Sequence, residues 1–339
     1  MQKKYQIVGL GNALVDILAN ISDALLTELQ IVKGSMQLCD LQRSQEIYTL
    51  LPPTTQRSGG SAANTMSGIA ALGGRCAFMG MVGDDELGKI FTHDMQSMGI
   101  DFTPPLIKNS DDSADKTGRC LVLVSDDAER TMFAHLGISS HFSDAHIEAE
   151  KIKQAEILYL EGYLFDGEEN KRAFYRAADI AKKNGCQVAL SLSDSFCVDR
   201  HRDDFLAFIT NSVDILFANK DELLSLYQEN DHNKAVVKAG AMVETSFMTC
   251  GGEGVIIHHD GGFVQCDAYP VHELIDTTGA GDQFAAGVLY ALTQGKNTYQ
   301  AAQLGTLLAS SVISHYGGRL QEHIADIKEK YAGLLLKNL

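Results

Sequence analysis

Asp282 stands where a glycine-rich turn runs into a helical pattern, in the stretch DTTGAGDQFAAGVLYAL (276–292). Phe284, Val288 and Leu292 recur there at helical spacing. An acid in a first helical turn is ordinarily a cap that offsets exposed N–H groups and the macrodipole. The residues before it point further. Gly279, Ala280 and Gly281 leave room for a ligand to touch the backbone. The N–H groups of a helix N-terminus hold anions. An acid beside an anion site is electrostatically unfavourable unless it has a task, and taking the proton of an attacking hydroxyl is such a task. The chemistry to expect is phosphoryl transfer.

Other stretches supply parts for such a site. RSGGSAANTMSGIAALGG is a second glycine-rich turn entering a helix. Gly59 and Gly60 permit close approach of a ligand, and Asn64 lies one turn into the helix. Asn64 with Asp16 of GNALVD suits the vicinal hydroxyls of a sugar, and Asn12 lies just before, at a strand end. NKDE places Asn219 and Glu222 three apart, on one helical face. A carboxylate and an amide there suit water held around Mg²⁺, which prefers oxygen ligands and keeps its waters. TCGGEG (249–254) suits either a hairpin turn or the edge of a nucleotide. Taken singly, each has a plainer reading: a turn acid, a surface amide, a helix cap.

Two familiar motifs are incomplete. GLGNAL, from Gly9, has Leu14 where a dinucleotide fingerprint needs its third glycine. GDDELGKI (83–90) approaches phosphate-loop spacing but has Ile90 where a magnesium-binding hydroxyl is required. Asp84, Asp85 and Glu86 would repel phosphates, so this reads as a strand-to-helix turn with acids in the first helical turn.

The elements that must position these residues alternate along the chain. YQIVGL, RCAFMGMVG, EILYLEGYL, CQVALSLSD, VDILFAN and SFMTCGG are short apolar strands. Helical patterns cover 61–72, 87–98, 171–184 and 222–227. Such alternation indicates βαβ units and a mostly parallel sheet covered on both faces, with ligands at the carboxyl ends of its strands. Two segments, 14–40 and 116–137, are strand-like with no following helix. The second reads as a hairpin turning at Ser125, Asp126 and Asp127. Together they suggest a small β-layer apart from the main sheet, suited to cover a site as a lid. With five prolines and no polar linker, residues 1–339 read as one unit.

Composition narrows the function. Of 339 residues, 45% are hydrophobic and 21% charged, enough for a sizeable core. A net charge of −16 argues against a general binder of nucleic acid or anionic membrane. Seven scattered cysteines without C-x-x-C read as reduced thiols, and the N-terminal strand is too short for a signal peptide, so a cytoplasmic location is expected.

The chain resembles the ribokinase-like carbohydrate and nucleoside kinases, the PfkB family. DTTGAGDQFAAGVL matches the C-terminal signature of that family, and GGSAANTMSGIAALGGRCAFMGMVGDDELG resembles the N-terminal one. The Asn-x-x-Glu element is present as Asn219 and Glu222. Within the family the likeness is to adenosine kinases and bacterial nucleoside kinases, through GGSxxN, SLSDSF (191–196) and VDILFAN. Eukaryotic adenosine kinases tend to read DTNGAGD; this chain has DTTGAGD, as ribokinases do.

The resemblance implies an α/β fold, an αβα sandwich with a β-lid, and ATP-dependent phosphorylation of the 5′-hydroxyl of a purine nucleoside, adenosine first. Guanosine or inosine kinase and ribokinase-type sugar kinase are the near alternatives; a non-catalytic nucleoside sensor and a nicotinamide-dependent oxidoreductase are more distant. The resemblance makes Asp282 the base and the amides of Gly279, Ala280 and Gly281 the anion hole. Asn12, Asp16, Gly59, Gly60 and Asn64 become acceptor-binding residues, with Met36, Tyr163 and Phe196 around a base. Asn219 and Glu222 would support Mg²⁺–ATP; Thr249, Gly251, Gly254 and Arg130 would lie near the nucleotide. Some relatives hold K⁺ by the loop corresponding to 276–278.

Overall fold

A computed structural model of the chain describes residues 3–105, 116–127, 129–271 and 273–337. From the N-terminus run β1 (Tyr5–Leu10), β2 (Leu14–Asn20), α1 (Asp23–Glu28), β3 (Met36–Leu38), α2 (Leu41–Leu50), β4 (Thr55–Gly59), α3 (Ser61–Ala71), β5 (Cys76–Met79) and α4 (Glu86–Ser97). The hairpin β6 (Thr117–Val124) and β7 (Arg130–Gly137) follows, then α5 (Ala149–Lys153), β8 (Ala155–Glu161), α6 (Glu168–Lys183), β9 (Gln187–Ser191) and α7 (Ser195–Ser212). The chain continues through β10 (Ile215–Asn219), α8 (Lys220–Tyr227), α9 (His232–Met242), β11 (Thr245–Thr249), β12 (Val255–His259) and β13 (Gly262–Cys266). It ends in α10 (Ala280–Thr293), α11 (Thr298–Val312) and α12 (Ile324–Lys337).

The larger sheet has the order β13-β12-β11-β10-β9-β8-β1-β5. Its strands are parallel except the β11-β12-β13 meander. Strands apolar at successive positions must be covered on both faces. Val8, Leu158 and Leu160 pack into a core with α6 to α9, while Ile7, Ile157 and Tyr159 pack toward α3, α10 and α11. Each such fully buried side chain contributes about 1.5–3 kcal/mol.

The smaller sheet is separate, in the order β3-β7-β6-β2-β4. Its composition differs from expectation in two ways. Thr55–Gly59, whose last three residues read as the start of a glycine turn, forms an edge strand antiparallel to β2. The segment 14–40 also contains helix α1, which with α2 covers the outer face of the sheet around Ile17, Leu26, Ile47 and Leu121. The inner face carries Leu14, Cys120, Val122 and Ala134, flanked by Met36, Met132 and Leu136. No helix among the described residues is long and apolar enough to cross a membrane, and all seven cysteines are free thiols.

Candidate active site

The carboxyl ends of β8, β9, β10 and β11 open onto a cleft of about 990 Å³, closed on its far side by the inner face of the smaller sheet. Every candidate residue lines it except Gly59. A Cβ on Gly59 would lie 2.1 Å from the Asp16 carboxyl group, so this glycine makes room for Asp16 rather than for a ligand.

Asp282 is the third residue of α10, and two side chains from the start of α3 hold it. Ser61 Oγ donates to its Oδ1 at 2.6 Å, and Asn64 Nδ2 donates to its Oδ2 at 3.1 Å. Burial raises its pKa, while these donors and the charge of Arg130 pull it back. No side chain caps α10. The Ala280 N–H bends back to the Thr277 carbonyl at 3.3 Å.

The turn before Asp282 is built by close backbone approach. Gly279 has φ +75°, and a Cβ there would lie 2.5 Å from Gly318 Cα. Asp276 is fully buried. Its carboxylate accepts from Thr278 N at 2.8 Å, Thr278 Oγ1 at 2.6 Å and Gly317 N at 2.8 Å. Those bonds occupy Asp276 with the turn itself.

On the acceptor side, Asn12 is engaged in a way the sequence did not suggest. Its backbone N and its Nδ2 donate to Glu161 Oε1 at 3.2 and 3.0 Å. Ala62 N donates to Glu161 Oε2 at 2.7 Å, so one carboxylate ties the ends of β1 and β8 to α3. Burial pushes Glu161 up to about 7 against those three donors. The GLGNAL stretch is thus a strand-end turn; a Cβ on Gly11 would lie 2.4 Å from Glu161 Oε2. Asp16 also rises to about 7, mainly by burial, with Arg319 pulling it down and Asp282 pushing it up. Met36 and Tyr163 line the cleft half-buried, each packed against a hydrophobic cluster beneath it, and Phe196 lines it 48% exposed.

Asn219 and Glu222 form a reciprocal capping box at the start of α8. Asn219 N and Nδ2 donate to the two Glu222 oxygens at 2.9 and 2.7 Å, and Glu222 N donates to Asn219 Oδ1 at 2.9 Å. Burial lifts Glu222 to about 8. Thr249 ends β11, and Gly251 and Gly254 turn the β11–β12 hairpin with φ +56° and +93°. Among the described residues, no group of three acidic, histidine or cysteine side chains could cage a metal. The donors present fit Mg²⁺ held through water and phosphate oxygens, not a protein-enclosed ion. The GDDELGKI stretch stands apart: Asp85 caps α4, accepting from Gly88 N at 2.8 Å.

Ser61, Glu161 and Arg319 escaped the sequence reading. Ser61 sits inside GGSAAN, and Glu161 is an acid closing an apolar strand, signals that point to both. Arg319 carries no local signal.

The profile of the pfkB family carbohydrate kinases matches residues 32–324. The chain belongs to that family. A probable sugar kinase from Rhizobium etli CFN 42 is 37% identical, with a TM-score of 0.93 over 98% of this chain and all (100%) of the other. The adenosine kinase from Sinorhizobium meliloti is also 37% identical, with a TM-score of 0.92 over 96% of this chain and 99% of its own. The ribokinase of Haemophilus influenzae is 28% identical, covering 77% of this chain and 82% of that protein. The protein is a kinase of the pfkB family with a ribokinase-like α/β fold, and kinases of this family use ATP and typically a divalent metal.

Proposed function

We propose that the protein transfers the γ-phosphoryl group of ATP to the 5′-hydroxyl of a purine nucleoside, adenosine first. One observation carries this reading. The inner face of the smaller sheet presents Leu14, Met36, Val122, Met132 and Leu136 to the cleft, opposite Tyr163 and Phe196. A free sugar has no use for so much apolar surface, whereas a flat base buries against it. Asp16 and Asn64 lie in the same cleft and suit a ribose diol. The likeness to an adenosine kinase at 37% identity agrees. A sugar acceptor is the second reading, favoured by the DTTGAGD turn and the equal likeness to a probable sugar kinase.

In this reading Asp282 takes the hydroxyl proton as the acceptor oxygen bonds to the γ-phosphorus. The bond from that phosphorus to the β-phosphate bridging oxygen breaks, and ADP leaves. The amides of the Gly279, Ala280 and Gly281 turn face the charge on the transferred group. Each such preorganised donor is worth roughly a hundredfold or more in rate. Most of the remaining catalysis is positioning. Asn219 and Glu222 would hold Mg²⁺ through its waters, and the bound ion would neutralise charge on phosphate oxygens. Thr249, Gly251 and Gly254 border the nucleotide, and Arg130, at the start of β7, turns its charge on the phosphates. The smaller sheet acts as a lid that excludes water. The test is ATP consumption with adenosine, guanosine, inosine, cytidine, ribose and fructose, with the product identified. A nucleoside 5′-monophosphate supports the proposal. Turnover on sugars alone contradicts the nucleoside assignment, and so does no turnover on any of these acceptors.

A further inference from the structure

Arg319 lies at the end of the Gly317, Gly318, Arg319 turn, behind the acceptor side of the cleft. The turn packs tightly under both helix starts of the site. Gly317 N donates to Asp276 at 2.8 Å, and Gln283 Nε2 donates to the Gly318 carbonyl at 2.9 Å and to the Asn64 carbonyl at 3.0 Å. A Cβ on Gly318 would lie 2.7 Å from Asn64 Nδ2. The path of this turn therefore delivers the arginine to Asn64.

The surroundings of the guanidinium are unusual for a cation. Among the described residues no carboxylate lies within ion-pair distance of it. Its oxygen acceptor is Asn64 Oδ1, reached by Nε at 3.4 Å, and its other contacts are the sulfurs of Met98 at 3.9 Å and Met95 at 3.7 Å. Burial lowers its pKa to about 10, against the pull of Asp94 and Asp16. Burying a cation this way is unfavourable, and packing alone would be met better by an apolar side chain.

An asparagine amide has two faces of opposite polarity, and only one suits Asp282. With Oδ1 toward Arg319, Nδ2 faces Asp282 and donates. With the amide turned over, an oxygen would face the carboxylate and an amino group would face the guanidinium. We propose that Arg319 is a positioning residue that fixes the Asn64 amide as a donor toward Asp282, and so holds the base in line with the acceptor hydroxyl. It acts through Asn64 and touches no reacting atom. This rests on the reading of Asp282 as the base.

The test is a double-mutant cycle on the full-length protein, measuring kcat, KM for each substrate and the thermal midpoint. Gln at 319 can place an amide N–H at the position of arginine Nε without a charge; Met cannot. R319M is expected to lower kcat about tenfold or more, with KM for ATP unchanged, and R319Q to stay within about threefold of wild type. In an N64A background, R319M is expected to have no further effect beyond about twofold. A folded R319Q with kcat below a tenth of wild type overturns the proposal, and this arm stands even if R319M does not fold. An equal loss from R319M with and without Asn64 also overturns it, since Arg319 would then act by packing or charge alone. D282N is run alongside. An inactive D282N with an additive cycle refutes only the role of Arg319, whereas an active D282N refutes the base assignment beneath it.

Discussion

Two helices point their N-termini at the same cleft and end in opposite ways. At α8, Asn219 and Glu222 close a reciprocal capping box that pairs the N–H groups of both residues. At α10, the cap is a glycine in left-handed conformation with no side chain to cover the N–H groups. A helix N-terminus is stabilised by a capping side chain, by about 1 kcal/mol. Leaving α10 uncapped forgoes that, and the arrangement suits a place kept open for an anion. The closed α8 terminus is instead a rigid mount, presenting one carboxylate in a fixed place.

The largest expected effect tests whether α10 is catalytic. Asp282→Asn keeps the fold and acceptor binding while kcat falls about 10²–10⁴-fold. Near-normal turnover in the purified variant would reduce Asp282 to a helix-end acid. Next comes the turn itself. Gly279→Ala meets Gly318 and a left-handed φ, whereas a Cβ on Gly281 meets nothing within 4 Å. Gly279→Ala is expected to destabilise by about 1–3 kcal/mol and Gly281→Ala by less than about 1 kcal/mol. Equal thermal midpoints for the two variants would mean the close approach at Gly318 does not constrain the turn.

Glu222→Gln probes the other terminus. The amide turns one hydrogen-bond acceptor of the capping box into a donor facing an N–H group. KM for Mg²⁺–ATP is expected to rise about tenfold with acceptor KM little changed, because a carboxylate orders metal-bound water better than an amide. A magnesium titration at fixed ATP that matches wild type would leave Glu222 as a cap and nothing more. The smallest effect is on pH. Asp16 titrates at about 7 in the folded chain, above its ordinary value. Its ionised form is lost as pH falls through 7, so under the proposed role in holding the acceptor diol kcat/KM should drop about fourfold between pH 8 and 6.5. The linked stability runs the other way: the folded state holds a proton that the unfolded chain releases, so stability falls as pH rises from about 4 to 7. A kcat/KM flat over that range would mean that Asp16 is already ionised or does not hold the acceptor.

Much of this was legible in the sequence because it is local. Short apolar strands, glycine turns and the Asp282 helix start each occupy one continuous stretch, and all but one of the candidate residues meet in one cleft. What was not legible is long-range or conceals its pattern. Thr55–Gly59 is a polar edge strand, exposed over its first three residues, and so shows no apolar alternation. Glu161 reaches Asn12 across 149 residues, and Arg319 reaches Asn64 across 255. The Asn219 and Glu222 spacing was visible, but spacing alone does not distinguish a metal-ordering pair from a capping box, and the structure contains the box.

The nucleoside assignment depends on what fills the apolar side of the cleft. The most direct measurement is kcat/KM for adenosine and for ribose, side by side under identical Mg²⁺–ATP, with deoxyadenosine and guanosine as controls. Adenosine is predicted to exceed ribose by far, since ribose forgoes the apolar contact that orients its hydroxyl. Deoxyadenosine is predicted to be much poorer than adenosine, since a missing hydroxyl leaves buried polar groups unpaired. Ribose matching or exceeding adenosine would contradict the account, making Met36, Tyr163 and Phe196 bystanders and the protein a sugar kinase.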